Sequence, residues 1–462
     1  MTRMASQGEL RRQLGLGSAV ALVVGEVIGV GIFLTPAGMA KALGSPLWLL
    51  AVWLVMGGAT LCGALCLAEL AARYPATGGI YVYLREAYGP RVAFLFGWMS
   101  LLVLDPGIAA ALATGLASQL TELSPPGVKV VAIAAVVVLA AVNIIGVRLG
   151  AGLLRWLTLL KVGLLALIVG WGFGRGLGDW SNFTPFVTRG PESMPLGQAL
   201  AAGMVGAFFS FGGWWDVSKM AGEVRDPART LPRALVMGIL AVTAVYVLVS
   251  AVFLYLIPAA KITTNEAYTA QIGEILFGDA GRVFLGGVVI VTVLGSLAAA
   301  VLGAPRVYFA MARDGLFLSG LAAVHPRFGT PARAVALQAF LACGLILSGT
   351  FDQILAYFIL PAVAFLALTI GAVLVVRRRP PPPQDYRTPG YPVTPLLFLV
   401  PAAGLLVLLA LSNPVSSFVG VAVVALGVPV SYVVLRRGAR YPAEAVDSGG
   451  PAQGNVGNVA PP

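Results

Sequence analysis

Two ionisable residues, Lys161 and Glu26, stand inside long apolar stretches of the sequence, where they could bind an ion or carry a proton. A lysine at the centre of a membrane span costs about 2.5–3.5 kcal/mol on insertion scales, so Lys161 is expected to face the protein interior and to have a partner. The alternative is that its ammonium snorkels to the membrane interface. Glu26 could pair with Lys161 or carry a proton, and a structural polar contact is an equal alternative for it.

The residues on which most enzymes depend are scarce. The single histidine, His325, precedes Pro326 in a predicted loop, and neither a serine–histidine pair nor a metal-ligand spacing occurs. Cys62 and Cys66 are spaced to share a helix face and could hold a metal, but apolar packing is the stronger interpretation without a nearby histidine. These two and Cys343 lie outside the predicted external loops, so we expect no disulfide. We therefore expect no enzyme, no cofactor and no metal site.

A pair of glycines predicts an interruption in the first apolar stretch. The segment GEVIGVGIF, residues 25–33, places Gly29 and Gly31 one residue apart, and Pro36 follows. Glycine costs about 1 kcal/mol in a helix interior relative to alanine, which favours a local break. Within a membrane, backbone groups freed by a break must meet protein, water or a ligand. The segment is therefore a candidate binding site.

The same pattern recurs in the sixth apolar stretch, where FFSFGGWWDVSK, residues 208–219, places Gly212 and Gly213 between aromatic residues. Glycine pairs also allow helices to pack closely, and taken singly each pair is more typical of that role. Two interrupted spans in matching positions, however, indicate inverted repeats with a binding site at the membrane midplane.

The composition places these segments in an all-α integral membrane protein, because 58% of the 462 residues are hydrophobic and only 11% are charged. Windows of about 20 residues predict a series of spans. The twelve predicted spans are 16–40, 46–70, 92–119, 130–146, 152–173, 198–221, 234–257, 282–311, 333–349, 353–376, 394–412 and 416–435. The predicted organisation is a cytoplasmic segment 1–15, one membrane domain of twelve spans 16–436 and a disordered cytoplasmic tail 437–462. Within the domain, repeat one is 16–173, repeat two is 198–376, and spans 11–12 are 394–435.

The net charge of +11 orients the protein and does not indicate nucleic-acid binding. Most arginines and lysines, Lys219 and Arg306 among them, fall on the side of the predicted loops that also holds both termini. The positive-inside rule then places both termini in the cytoplasm. The expected location is the cell (plasma or inner) membrane.

Five motifs in a fixed order resemble the amino acid–polyamine–organocation transporters, and most closely the L-type amino acid transporter branch. They are GEVIGVGIFLTP, GALCLAELAARYPATGGIYVYLREAYG, FSFGGWWDVSKMAGEVRDPARTLPRA, PRVYFAMARDGL and YRTPGYPVTP. The resemblance covers about residues 12–436. It implies the LeuT-type fold, a 5+5 inverted repeat plus two helices with spans 1 and 6 broken, and alternating access to a central amino acid site.

The resemblance also implies roles for individual residues. Amides at Ile28, Gly29, Val30 and Gly31 would receive the substrate carboxylate, which agrees with the preference of helix N-termini for anions. Carbonyls of Phe209, Ser210 and Gly212 would accept the substrate ammonium, with Phe209 as a lid on the outer side and Phe211 and Trp215 among the binding residues.

Lys161 resembles the lysine that replaces a sodium ion in sodium-independent relatives. The implied neighbours of its ammonium are Gly25, Ile28 and the Gly295–Ser296 region of span eight. The match argues against sodium coupling.

Two positions, Trp215 and Asp105, depart from the family pattern. Trp215 stands where L-type members often have a small amide that helps to select the substrate, which leaves the side-chain preference open. Asp105 and Asp216 could favour a cationic side chain. Equally, Asp105 could cap a proline kink and Asp216 could satisfy the N-terminus of the second half-helix.

The resemblance therefore implies a sodium-independent permease for an L-amino acid, which could be an exchanger or a proton-linked uniporter or symporter. A carrier of polyamines or other organic amines is the alternative. An amine without a carboxylate would leave the amides of span 1 unfilled, which separates the two. A channel is disfavoured because the acidic residues are few and isolated. The expected partners are a small-molecule substrate and the lipid bilayer, with no nucleic acid and no disulfide-linked accessory subunit. A homo-oligomer is left open.

Overall fold

A computed structural model describes residues 10–29, 31–119, 125–187, 189, 195–258, 265–348, 351–379, 386–412 and 414–438. In this part of the chain every regular element is helical, and the one extended pairing is a parallel bridge between Leu14 and Val224. The α-helices are α1 (Leu16–Val27), α2 (Gly31–Leu43), α3 (Pro46–Arg73), α4 (Ile80–Tyr88), α5 (Pro90–Met99), α6 (Asp105–Ser118), α7 (Pro125–Ile145), α8 (Val147–Gly174), α9 (Leu196–Ser210), α10 (Pro227–Leu256), α11 (Asn265–Phe277), α12 (Gly281–Gly303), α13 (Pro305–Arg313), α14 (Ala332–Ser348), α15 (Phe351–Val376), α16 (Val393–Ser412) and α17 (Pro414–Gly438). A π-helical turn, Ser100–Leu104, joins α5 to α6, and 3-10 helices cover Trp180–Phe183, Trp214–Glu223, Gly278–Ala280 and Ser319–Ala322.

Ten helical stretches among the described residues are long and apolar enough to cross a membrane. The first and ninth predicted spans correspond instead to shorter apolar helices, Leu16–Val27 and Ala332–Ser348. The number of twelve spans therefore stays a prediction. The predicted tail beyond Gly438 lies outside the described residues, as does Val30 in the first glycine segment.

Both glycine segments interrupt a helix. α1 ends at Val27 and α2 begins at Gly31, while α9 ends at Ser210 and is followed by the 3-10 helix Trp214–Glu223. At the second interruption Gly213 has φ 101°, a left-handed conformation that favours glycine over other residues.

The interrupted helices are enclosed by the others. α1 packs against α8, α10 and α12, α2 packs against α9, and α10 packs extensively along α3. α6 and α15, which pack against each other, complete the surroundings of the interruptions. This arrangement places the two glycine segments in the interior of the helical bundle.

Hydrogen bonds connect the start of α1 to the end of the 3-10 helix Trp214–Glu223. The N–H groups of Gln13 and Leu14 both donate to the carbonyl oxygen of Glu223, at 2.8 and 2.9 Å, and Arg225 N–H donates to Leu14 O at 2.8 Å. Backbone hydrogen bonds thus join the two interrupted spans at the ends that lie away from the interruptions.

Candidate functional site

A cavity lies where the two interruptions meet, and about 940 Å³ of space within it and at its opening to solvent is not occupied by atoms. Its lining comes from α1, α2, α6, α9, the 3-10 helix Trp214–Glu223, α12 and α15. Of the residues selected from the sequence, the lining includes Glu26, Gly29, Gly31, Phe209, Ser210, Gly212, Trp215, Asp216 and Ser296. A cavity that is mostly apolar, with a few polar groups converging on it, has the character of a small-molecule site.

At the first interruption the structure corrects the expectation of free amides at Ile28 and Gly29. The Ile28 N–H donates to Val24 O at 3.0 Å, and the Gly29 N–H donates to Val27 O at 2.8 Å. The cause is local: Ile28, at φ −73° and ψ 84°, forms an inverse γ-turn that closes the last turn of α1 on itself. Gly31 begins α2 and lines the cavity, and the N–H groups in the first turn of a helix have no partner within that helix.

Gly31 also allows α2 and α9 to approach each other. A Cβ atom added at Gly31 would lie 2.7 Å from Ser210 Oγ and 2.8 Å from Ser210 Cα. The hydroxyl groups of Ser210 and Thr35 are 2.9 Å apart, which adds a hydrogen bond between the two helices. The glycine is therefore required by close packing as well as by the break.

At the second interruption, two of the carbonyl groups proposed to bind an ammonium already have donors. Phe209 O accepts the Gly212 N–H at 3.0 Å, and Ser210 O lies 2.7 Å from the hydroxyl oxygen of Tyr246. Each of these carbonyl oxygens thus already has a donor within reach, and each can still accept a second hydrogen bond. Gly212 lines the cavity, and its N–H is directed back into the end of α9.

Phe211, which the sequence reasoning places among the binding residues, is not part of the cavity lining. Its ring is buried and packs edge-to-face on Trp53 and Tyr246, with ring centroids 6.0 and 5.2 Å apart. Phe211 extends the last turn of α9 and stands about 200° around the helix from Phe209, which does line the cavity. Phe208, which the sequence reasoning did not select, lines the cavity beside Phe209.

Tyr246 of α10 joins the two interruptions and was not selected from the sequence. Its buried hydroxyl oxygen lies 2.8 Å from Val27 O and 2.7 Å from Ser210 O. The one hydroxyl proton can be donated to either carbonyl at a time. A signal existed, because a tyrosine within an apolar span needs a partner for its hydroxyl when it is buried.

Lys161 of α8 is fully buried, with its ammonium at the end of α1. The ammonium donates to Gly25 O at 2.8 Å, to Ile28 O at 2.7 Å and to Thr292 O at 3.1 Å, and Ser296 Oγ lies 3.5 Å away. A cation at the C-terminal end of a helix is favoured by the helix dipole. The structure thus brings Lys161 together with Gly25, Ile28 and Ser296, and Thr292 is an additional neighbour. Ile28 is buried away from the cavity lining.

Glu26 does not pair with Lys161, which corrects that expectation. No ion pair joins these two described residues. The Lys161 ammonium donates a hydrogen bond to the carbonyl oxygen of Gly25, whereas the Glu26 side chain points about 100° further around α1. The Glu26 side chain lies instead against Gly213, where an added Cβ would collide with its Cγ. Glu26 is 8% exposed and lines the cavity, and its Oε2 atom has no hydrogen-bond partner among the described residues.

Asp105 and Asp216 share a partner that the sequence reasoning assigned to a loop. Lys219 is 1% exposed, and its ammonium lies 2.8 Å from Asp105 Oδ1 and 2.9 Å from Asp216 Oδ2. Ser100 and Tyr308 donate hydrogen bonds to Asp105 Oδ2. Because these donors hold it in place, the Asp105 side chain neither caps the proline kink nor lines the cavity.

Asp216 differs from Asp105 in that it reaches the cavity. It does not cap the 3-10 helix Trp214–Glu223, whose N-cap position has no side-chain hydrogen bond. Asp216 is one of the cavity-lining residues, and its Oδ1 atom is buried without a hydrogen-bond partner among the described residues. One oxygen of the carboxylate is therefore bound to Lys219, and the other has no partner in this part of the chain.

Apolar residues of α6 and α15 form the remaining wall, which the sequence reasoning did not identify. They are Leu104 from the preceding π-helical turn, Ile108, Ala111, Leu112, Ile359, Ala362, Val363 and Leu366. Apolar residues that line a cavity carry no sequence signal that separates them from core residues. Across the described residues, no group of three or more histidine, cysteine, aspartate or glutamate residues is arranged to hold a metal ion.

Comparisons with known proteins agree with the family suggested by the motifs. A family model described as amino acid permease matches residues 14–435. The chain is 33% identical over 435 residues to the serine/threonine exchanger SteT of Bacillus subtilis (strain 168), covering 93% of this chain and 98% of that protein. It is 30% identical over 377 residues to the b(0,+)-type amino acid transporter 1 of Homo sapiens, covering 80% and 76%. It is also 28% identical over 433 residues to the Homo sapiens large neutral amino acids transporter small subunit 2, covering 92% and 80%.

Proposed function

The chain belongs to the amino acid permease family, and we propose that it is a sodium-independent secondary transporter that exchanges L-amino acids by alternating access. Family members are transporters and not enzymes. The proposed fold is LeuT-type, with residues 16–173 and 198–376 as inverted repeats and α16 and α17 added to them. The proposed location is the cell membrane with both termini in the cytoplasm.

One observation carries the proposal: the two interrupted helices meet at a cavity, and Tyr246 contacts the carbonyl group at each break. The N-terminus of α2, from Gly31 onward, supplies N–H groups and the positive end of a helix dipole to a substrate carboxylate. The acidic oxygens at the cavity suit the positive end of the same substrate. An amino acid zwitterion matches this arrangement, because its carboxylate can accept from the N–H groups and its ammonium can donate to the acidic oxygens.

The remaining cavity wall supports an amino acid with an uncharged side chain. The wall from α6 and α15 is apolar, and Phe208, Phe209 and Trp215 add aromatic surface. An apolar side chain placed there gains roughly 25 cal/mol per Å² of buried surface. A charged side chain would find no polar partner on this wall.

Lys161 supports independence from sodium. Its ammonium donates to three carbonyl oxygens contributed by α1 and α12. Oxygen atoms of this kind are ligands for hard cations, and a positive charge already fills the space among them. The proposal includes no disulfide-linked subunit, because Cys62, Cys66 and Cys343 all lie within α3 and α14.

Exchange in proteoliposomes tests the function. Purified protein is reconstituted with or without internal amino acids, and uptake of a labelled panel (leucine, threonine, arginine and putrescine) is measured in sodium and in N-methylglucamine buffers. The expected result is amino acid uptake that requires internal amino acid and is equal in the two buffers. Uptake that depends on sodium would contradict the role of Lys161. Transport of putrescine alone would establish the amine carrier instead.

A further inference from the structure

We propose that the carboxylates of Glu26 and Asp216 bind the α-ammonium group of the substrate. The inference rests on the proposed function and adds an ammonium subsite to it. Its basis is that both carboxylates line the cavity and that each has one buried oxygen without a hydrogen-bond partner, Glu26 Oε2 and Asp216 Oδ1.

The burial of these oxygens indicates a ligand. Glu26 is 8% exposed and Asp216 is 4% exposed, so little water reaches either side chain. An ionised acceptor buried without a donor is costly, more so than a neutral one. An ammonium group offers three donors and a positive charge, and it could satisfy both oxygens together.

Competing donors on the protein are already engaged. Lys219, the cation closest to this pair, is shared between Asp105 and Asp216 through Oδ2 of the latter. Lys161 donates to Gly25, Ile28 and Thr292. Two carboxylates, Asp105 and Asp216, share the one ammonium of Lys219, so a second cation beside Asp216 reduces an excess of negative charge.

The backbone carbonyl groups at the two breaks each have a donor within reach. Val27 O accepts from Gly29 and lies within reach of Tyr246, Ser210 O also lies within reach of Tyr246, and Phe209 O accepts from Gly212. A carbonyl oxygen can accept a second hydrogen bond, but Glu26 Oε2 and Asp216 Oδ1 have no donor at all among the described residues and belong to acidic groups. An ammonium is therefore expected to gain most from the two carboxylates.

The position of the pair selects the α-ammonium over a cationic side chain. Glu26 lies against Gly213 at the breaks, on the same part of the lining as Gly29 and Gly31, where the carboxylate end of an amino acid is expected. The space that remains for the side chain is bounded by the apolar residues of α6 and α15. Both charged ends of the substrate therefore lie at the breaks.

Substrate fragments test the inference in proteoliposomes. Exchange of labelled L-leucine is measured with two inhibitors: 3-methylbutylamine, which lacks the carboxylate, and 4-methylpentanoate, which lacks the ammonium. If L-threonine is the better substrate, 1-amino-2-propanol and 3-hydroxybutyrate are the corresponding amine and acid. The variants are Glu26→Gln and Asp216→Asn, and Glu86→Gln, a carboxylate of the half-exposed Arg85–Glu86 pair, is the control.

Inhibition by the amine should weaken about tenfold or more in both cavity variants, which corresponds to one lost charge-assisted hydrogen bond. Inhibition by the acid should persist, and this also shows that the variants are folded. If amine inhibition is the same in variants and wild type, the ammonium binds elsewhere and the inference is wrong. If only arginine transport is lost, the pair binds a side chain, which also overturns it. Absence of exchange with every amino acid in the wild type would instead contradict the proposed function.

Discussion

The hydroxyl group of Tyr246 lies 2.8 Å from the carbonyl oxygen of Val27, the last residue of α1, and reaches the end of α9 at the same time. A single side chain on α10 thereby contacts both breaks in the interior of the bundle. The carbonyl groups at a helix C-terminus lack partners within the helix, and Tyr246 satisfies one at each break in turn. Its removal should affect both breaks together.

Tyr246→Phe should destabilise the protein by about 1–3 kcal/mol, because buried carbonyl groups lose their donor while the ring packing is kept. Transport should fall as well, since the relative position of the breaks is no longer fixed. Thermal unfolding in detergent and exchange in proteoliposomes measure the two effects. The matched control is Tyr432→Phe, whose ring is 45% exposed and which should behave as wild type. Unchanged stability and exchange in Tyr246→Phe would show that the bridge has no such role.

Gly31→Ala should abolish exchange, because the new Cβ would lie 2.8 Å from the backbone Cα atom of Ser210, which cannot move aside. α2 would then be displaced from α9 and its first turn from the cavity. Gly58→Ala is the control, since no atom lies within 4 Å of the added Cβ and alanine favours the helix. Wild-type exchange in Gly31→Ala would contradict the close approach of the two helices.

The breaks and the surroundings of Lys161 were predictable from sequence because their causes are local or energetic. Gly29, Gly31 and Gly213 disfavour a continuous helix wherever the chain folds. A lysine in the middle of an apolar span requires interior partners. Neither conclusion depends on knowing which helices are neighbours, although the resemblance supplied the identity of the residues around Lys161.

The incorrect predictions have a different cause. They concern the side of a helix that a side chain faces and the contacts between helices that are distant in sequence. Glu26 follows Gly25 in sequence but faces another side of α1, so proximity along the chain did not place it near Lys161. Lys219 was counted among the loop charges, and its burial depends on Asp105 from a distant span. Contacts between separate helices cannot be read from one sequence.

Lys161→Met should stop exchange and lower stability by about 3 kcal/mol or more, because several hydrogen bonds from one charged group are lost at once. Exchange assays and thermal unfolding give the two values. Lys129→Met removes a lysine that bonds one carbonyl, Leu347 O, at an exposed position, and it should have little effect. If Lys161→Met exchanges amino acids at the wild-type rate, the lysine is not part of the mechanism.

Trp215→Ala should change which substrates are preferred, because the indole occupies part of the cavity lining. The ratio of exchange rates for tryptophan and threonine should rise about tenfold as room for a larger side chain appears. Competition by an unlabelled amino acid panel measures the preference. Trp156→Ala, at a side chain that is 74% exposed, is the control and should leave the preference unchanged. An unaltered preference in Trp215→Ala would remove Trp215 from the specificity determinants.

The ion pair between Arg306 and Glu223 should contribute to stability through the penalty of breaking it. Arg306 Nε lies 2.8 Å from Glu223 Oε1, and both side chains are at most 1% exposed. The backbone carbonyl of Glu223 accepts hydrogen bonds from the N–H groups of Gln13 and Leu14, just before α1. Arg306→Met alone should therefore cost roughly 3–5 kcal/mol, since it leaves a buried charge without a partner.

The double substitution Arg306→Met with Glu223→Gln should recover most of that loss, because no unpaired charge remains. Thermal unfolding of the single and double variants measures the coupling between the two side chains. Additive losses would mean that the two residues act independently. Stability could recover while exchange does not. That result would show that the pair also holds the ends of the two interrupted spans in a geometry that transport requires, because the Glu223 carbonyl accepts hydrogen bonds from Gln13 and Leu14.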